Sequence, residues 1–262
     1  MNEVLEMTWI DALFGLLIGS FLNVCIYRMP RDLSVVAPRS RCPNCDHPVS
    51  WYDNIPLVSY LLLRGRCRHC RWRIPWRYPL VELLTAAMFW LACTRWGPTP
   101  EAGKWIVFGS IMLVLVFADM ETRILPDQFT IGGFWAGLAL ATIVPHEVGF
   151  FSMLSGIGPP LGSIGEALFA AGFASGSIWI VGVLYRRIRQ REGLGFGDVK
   201  MLAAMGVFLG LSKTLMALIL GSVAGSVLGL VYIYLTRKDA STYQLPFGTF
   251  LGAAAIAVAF FG

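Results

Sequence analysis

The chain has 262 residues, 56% of them hydrophobic and only 14% charged, with a mean hydropathy of +0.64 and a formal charge of +5. Soluble proteins carry about 25% charged residues and need that polar surface to cover a core, so the composition excludes a soluble globular enzyme. The apolar excess must face lipid or lie between embedded helices, and function is to be sought in the few polar residues of that background.

A helix crosses the hydrocarbon core, about 30 Å thick, with about 20 residues. Charge-poor apolar runs at residues 9–27, 80–92, 105–118, 129–144, 167–185, 199–211, 215–235 and 245–261 predict an all-α polytopic membrane protein with about eight transmembrane helices. The first run holds Asp11 near its start and no basic residues precede it, which marks an anchor rather than a signal peptide. The sixth run rises only about 20 Å as a helix. It either opens a wet crevice in a thinned bilayer or continues past Lys213, whose side chain then reaches for the surface. Residues 146–165 are rich in Gly, Pro and Ser and are expected to form a mobile outside loop. Gly221, Gly225 and Gly229 share one face of the seventh helix and predict close helix packing.

Basic residues mark cytoplasmic connections. With the first terminus outside, the inside connections hold the ten arginines from Arg28 to Arg77, then Arg123, the four from Arg186 to Arg191, Lys200, Arg237 and Lys238, 18 of the 21 basic residues. Both termini are then outside. The chain divides into a first transmembrane helix (1–27), a cytoplasmic loop domain (28–79) and a seven-helix membrane domain (80–262). Arginines beside membrane helices suit anionic lipid headgroups, and a nucleic-acid partner is not expected.

The 28–79 stretch is too short to build a core unaided. It carries Cys42-Pro43-Asn44-Cys45 and Cys67-Arg68-His69-Cys70, with 21 residues between the pairs, a zinc-ribbon spacing. Four thiolates close a tetrahedral site, so Zn2+ bound by Cys42, Cys45, Cys67 and Cys70 is expected to be structural and to supply folding energy. A reducing cytoplasm disfavours disulfides between them. His47 and His69 flank the knuckles as alternative ligands, while Cys25 and Cys93 lie in apolar runs as packing residues.

Carboxylates beside apolar spans are costly and become functional candidates. Asp119 ends the third run and Asp198, in Gly195-Phe196-Gly197-Asp198, starts the sixth. The alternating topology brings both to the cytoplasmic boundary. Two close carboxylates cannot both ionise, so one keeps a proton while the other takes one from water, a device that hydrolyses peptides without a metal. The plainer alternatives are that Asp198 and Asp127 each cap a helix. Gly195 and Gly197 would leave room for a substrate strand.

Several motifs then occur in order. They are Gly19-Ser20-Phe21-Leu22-Asn23-Val24, Tyr27-Arg28 with Pro30, the two knuckles around Asp53-Asn54-Ile55-Pro56, Arg77-Tyr78-Pro79-Leu80-Val81-Glu82, Asp119 with Leu125-Pro126-Asp127, and the Gly-Phe-Gly-Asp turn with Lys200. In this set, spanning residues 15 to 205, the chain resembles the prepilin peptidases. The resemblance implies a bifunctional inner-membrane aspartic peptidase that removes the basic leader of type IV prepilins and type II secretion pseudopilins. It also implies methylation of the new N-terminal amine with S-adenosylmethionine. Asp119 and Asp198 would be the catalytic pair and the four cysteines the zinc ligands. The interval between the aspartates is longer than is usual in that family, which the outside loop around residues 152–165 explains. No Gly-rich nucleotide fingerprint is visible, and Glu82 is the candidate contact for the methyl donor or substrate amine, with an interfacial structural glutamate as the alternative.

Overall fold

The computed structural model describes residues 2–146, 149–190, 195–237 and 245–262, without the side chains of residues 2–8. Glu147 and Val148 of the expected outside loop, and Arg191 and Lys238 of the basic count, lie outside the described residues. Every regular element described is helical: α1 (Asn2–Arg28), α2 (Val58–Leu62), α3 (Arg77–Trp96), α4 (Pro100–Thr122), α5 (Asp127–Ile143), α6 (Phe150–Ser155), α7 (Leu161–Arg189), α8 (Phe196–Thr236) and α9 (Phe247–Phe261). Two short 3-10 helices, Met29–Arg31 and Trp51–Asn54, and two isolated antiparallel bridges complete the regular structure among the described residues. The chain forms two compact units, Met1–Ser110 and Ile111–Gly262, whose boundary falls inside α4.

Among the described residues, four helical stretches are long and apolar enough to cross a membrane: Trp9–Arg31, Pro100–Thr122, Leu161–Arg189 and Phe196–Thr236. The chain is an all-α multi-pass membrane protein, and the count of about eight spans is not reached by this criterion. α9 is apolar but has only 15 residues.

In the first unit α1 packs along α3 through small residues. A Cβ on Gly15 would lie 2.6 Å from Ala86 Cα, and one on Gly19 would lie 2.7 Å from Glu82 Cα, so the two backbones are nearly in contact. Buried Asn23 fastens the same pair, donating through Nδ2 to the Tyr78 carbonyl at 2.9 Å.

In the second unit the 41 residues of α8 are interrupted by Gly210, at φ 73° and ψ 176°. Met201 Cε lies 2.8 Å from where a Cβ on Gly252 would stand, and Leu251 Cα lies 2.9 Å from the same point on Gly221. Along a straight helix, residues 201 and 221 would be about 30 Å apart. Because both meet one turn of α9, α8 folds back at Gly210, and the sixth and seventh apolar runs form a helical hairpin. Lys213 follows the turn and donates to the Gly262 carbonyl at 3.5 Å. Gly221, Gly225 and Gly229 do serve packing: their Cβ positions would meet Leu251, Phe250 and Leu245 of the α9 segment.

A fold-back inside an apolar unit leaves backbone groups without helical partners. His146 Nε2 meets the Val207 carbonyl at 3.0 Å, and buried Glu166 of α7 accepts the Leu211 N–H at 3.3 Å. Glu166 also accepts the Phe151 N–H at 2.7 Å, tying α6 to α7. The segment expected as a mobile loop is therefore helical over most of its described length. α6 lies within it, and α7 begins at Leu161, before the residue 167 expected for the fifth span.

Along the first half of α8, a Cβ on Gly206 would stand 2.6 Å from Ala171 Cα of α7. Backbone cannot yield as a side chain does, so Gly206→Ala should cost about 1–3 kcal/mol, read as a lower unfolding temperature of the detergent-solubilised protein.

Candidate functional site

The cysteine loop is built twice on one plan. Cys42 N–H donates to the His47 carbonyl (3.0 Å) and Asp46 N–H to the Cys42 carbonyl (2.9 Å); Cys67 N–H donates to the Trp72 carbonyl (2.9 Å) and Arg71 N–H to the Cys67 carbonyl (3.1 Å). A bridge closes each turn, Arg41 to Pro48 and Arg66 to Arg73, and Asp46 and Arg71 take matching positive φ values of 52° and 60°. Each knuckle thus turns its two sulfurs to one side. The four Sγ atoms gather within 4.8 Å of one another, with Cys42 and Cys70 at 3.7 Å. Zinc bonds of about 2.3 Å place tetrahedral sulfurs about 3.8 Å apart, so the cluster fits such an ion. The Asn44 amide points at Cys70 Sγ from 3.5 Å. His47 and His69 lie tilted against each other, ring centroids 3.5 Å apart, and take no part in the cluster.

Arg68, inside the second knuckle, grips Asp53 of the segment between the knuckles through Nε and Nη2 at 2.5 to 3.1 Å. That guanidinium holds the Asp53 carboxyl below its ordinary range. Glu82 in α3 accepts the N–H of Leu57, a non-glycine residue at φ 58°, at 2.9 Å, with Ser20 of α1 beside it. Three of the sequence motifs, on α1, on α3 and in the loop, therefore converge at Glu82. The Asn23 Oδ1 near this cluster is buried and has no hydrogen-bond partner among the described residues.

The two aspartates meet in the second unit. Asp119, 5% exposed, comes from the last turn of α4, and Asp198 is the third residue of α8. A Cβ on Gly248 of α9 would lie 3.2 Å from Asp119 Oδ2 and 3.2 Å from Asp198 Oδ1, so the carboxylates are separated by no more than twice that distance. Thr249 follows, giving its backbone N–H (2.7 Å) and its hydroxyl (2.9 Å) to the same Asp119 Oδ2.

Neither capping alternative holds. Gly195 is the N-cap of α8 and Pro126 that of α5, so neither aspartate occupies the N-cap position. Asp127 pairs with Lys200 of α8 instead. Gly197 does not hold space for a substrate either, since Leu125 packs 3.2 Å from its Cβ position. Gly248 and Thr249 are the site residues that sequence reasoning missed. Pro246 falls within the final apolar run, and nothing local in that run indicates which carboxylate the start of α9 faces.

Residues 13–96 match the model described as the bacterial peptidase A24 N-terminal domain, and residues 106–230 match the type IV leader peptidase family. The chain belongs to the type IV leader peptidase family. Relatives named prepilin leader peptidase/N-methyltransferase come from Myxococcus xanthus (40% identical, 86% of this chain and 62% of the relative), Burkholderia pseudomallei (36%, 95% and 83%) and Pseudomonas aeruginosa (33%, 92% and 86%). No solved structure matches the chain. The cysteine loop and Glu82 fall in the first matched stretch and both aspartates in the second. Gly248 and Thr249 lie beyond residue 230, outside both.

Two outcomes follow for the loop. Cys42→Ser or Cys67→Ser should abolish stoichiometric bound metal in elemental analysis of the purified protein, because three thiolates no longer close the site. The Asp53–Arg68 pair stabilises fully above the ordinary aspartate value of about 3.9 and fades as pH falls through the depressed folded value. Asp53→Asn should therefore lower the unfolding temperature at pH 7, and the gap to wild type should close in acid.

Proposed function

We propose that the protein is a membrane aspartic peptidase of the inner membrane. It cleaves the leader of type IV prepilins or type II secretion pseudopilins at the cytoplasmic face and then N-methylates the new terminus with S-adenosylmethionine. The observation that carries the peptidase reading is the single point at Gly248 that both Asp119 and Asp198 reach to 3.2 Å. One carboxylate takes a proton from water as the water oxygen attacks the scissile carbonyl carbon, and the other gives its proton to the carbonyl oxygen. Collapse of the tetrahedral intermediate breaks the C–N bond, and the departing amine carries a proton away.

A prepilin presents an apolar helix in the bilayer with a basic leader in the cytoplasm, which puts its scissile bond at the inner boundary. The basic-residue count supports the matching orientation, with the cysteine loop (28–79) inside and both termini outside, in the eight-span topology that has a first helix at 1–27 and a membrane domain at 80–262. The loop arginines serve that orientation and lipid contact rather than attraction of a basic leader, and no nucleic acid is involved. Zn2+ on Cys42, Cys45, Cys67 and Cys70 is structural, having no open coordination position.

For methylation, the sulfonium of S-adenosylmethionine supplies an electrophilic methyl group to the neutral N-terminal amine. Glu82 is the proposed contact for that amine or for the donor. Its place at the convergence of three motifs supports this, as does Asn23 Oδ1, an open acceptor on the facing helix. Its bond to Leu57 gives the same residue a structural share.

Incubating the purified protein with a prepilin and isotopically labelled S-adenosylmethionine, and weighing the products, tests both activities. Asp119→Asn or Asp198→Asn should reduce leader release by at least about a thousandfold with bound metal and membrane insertion unchanged. Glu82→Gln should leave cleavage and lose the added methyl mass.

A further inference from the structure

Asp119 sits at the C-terminal end of α4, where the helix carbonyls disfavour a carboxylate. The start of α9 answers this. Its N-cap is Pro246 and Thr249 is its third residue, so the Thr249 N–H is one of the donors that a helix leaves unpaired in its first turn. That N–H and the Thr249 hydroxyl both reach Asp119 Oδ2, and the hydroxyl oxygen also lies 3.2 Å from the Val116 carbonyl one turn back on α4. The side chain is therefore fixed at both ends of its small arc. Gly248, the residue before it, brings the backbone up to both carboxylates.

We infer that Thr249 is a positioning residue for leader cleavage: two donors on one oxygen lock the Asp119 carboxyl in the rotamer that faces Asp198. The inference rests on the aspartate pair proposed above. Thr249 touches no substrate, and it acts through Asp119 alone. Removing its hydroxyl loosens the carboxyl and lowers the rate of the chemical step, while leaving substrate affinity as it was.

The test measures kcat and KM for prepilin cleavage in Thr249→Val, Thr249→Ser and Asp119→Asn, with unfolding temperature and metal content recorded for each. Thr249→Val keeps the shape and the backbone N–H but loses one charge-assisted hydrogen bond, so kcat should fall about 10- to 100-fold with KM unchanged. Thr249→Ser restores the hydroxyl and should recover most of the rate, which a packing role for the methyl group would not allow. Where Thr249→Val does not accumulate in membranes, Thr249→Ala against Thr249→Ser makes the same comparison. Wild-type kcat in the Val variant, a loss confined to KM, or a Ser variant as slow as the Val variant overturns the inference. Cleavage surviving in Asp119→Asn overturns the aspartate pair itself, so the two failures are distinguishable.

Discussion

Lipid offers no hydrogen bonds, and the fold-back of α8 at Gly210 exists only because the protein supplies them. The turn leaves a carbonyl at Val207 and an N–H at Leu211 that water would satisfy elsewhere; here His146 and Glu166 do so. The consequences run the length of the second unit. Because α8 reverses, its first residues and its last lie at the same end, beside the start of α9. That end is where Asp198 arrives next to Asp119 and Gly248. Glu166, remote in sequence from either aspartate, is thus part of what brings them together.

The glycines show how closely such a hairpin must be packed. Gly206 admits α7, Gly137 admits the side chains of Val207 and Phe208, and Gly221 admits α9. Apolar side chains gain little by leaving lipid for a helix interface, so contact comes from backbone approaching backbone, which only small residues permit. In the first unit Gly15 and Gly19 do the same for α1 and α3. The catalytic geometry proposed for the chain therefore rests on residues with no side-chain chemistry of their own.

How much could be read beforehand depended on whether the signal was local. Two Cys-x-x-Cys pairs each form within a turn of about six residues, and their spacing alone announced a shared site. The aspartates were legible by a different route: charge is expensive in an apolar chain, and alternating topology sends both to one face. What escaped was long-range. Thr249 meets Asp119 across 130 residues and Lys200 meets Asp127 across 73, and no periodicity encodes such pairings. The segment 146–165 misled because Gly, Pro and Ser mark loops on average, whereas here a buried glutamate pins a short helix within it. The reversal near Gly210 was legible as the break between the runs at 199–211 and 215–235, and the structure places it at the end of the first of them.

The wall of the site at Gly248 is main chain. A pocket bounded by side chains changes shape whenever a residue is exchanged, but here a Cβ in place of the hydrogen would stand 3.2 Å from a carboxylate oxygen on either side, and those carboxylates would have to give by a few tenths of an ångström to admit it. That part of the site is set by the path of α9, and a side chain added there would press on the carboxylates themselves. Sequence drift elsewhere in this chain alters what approaches the aspartates, while a change at residue 248 would bear directly on the gap between them.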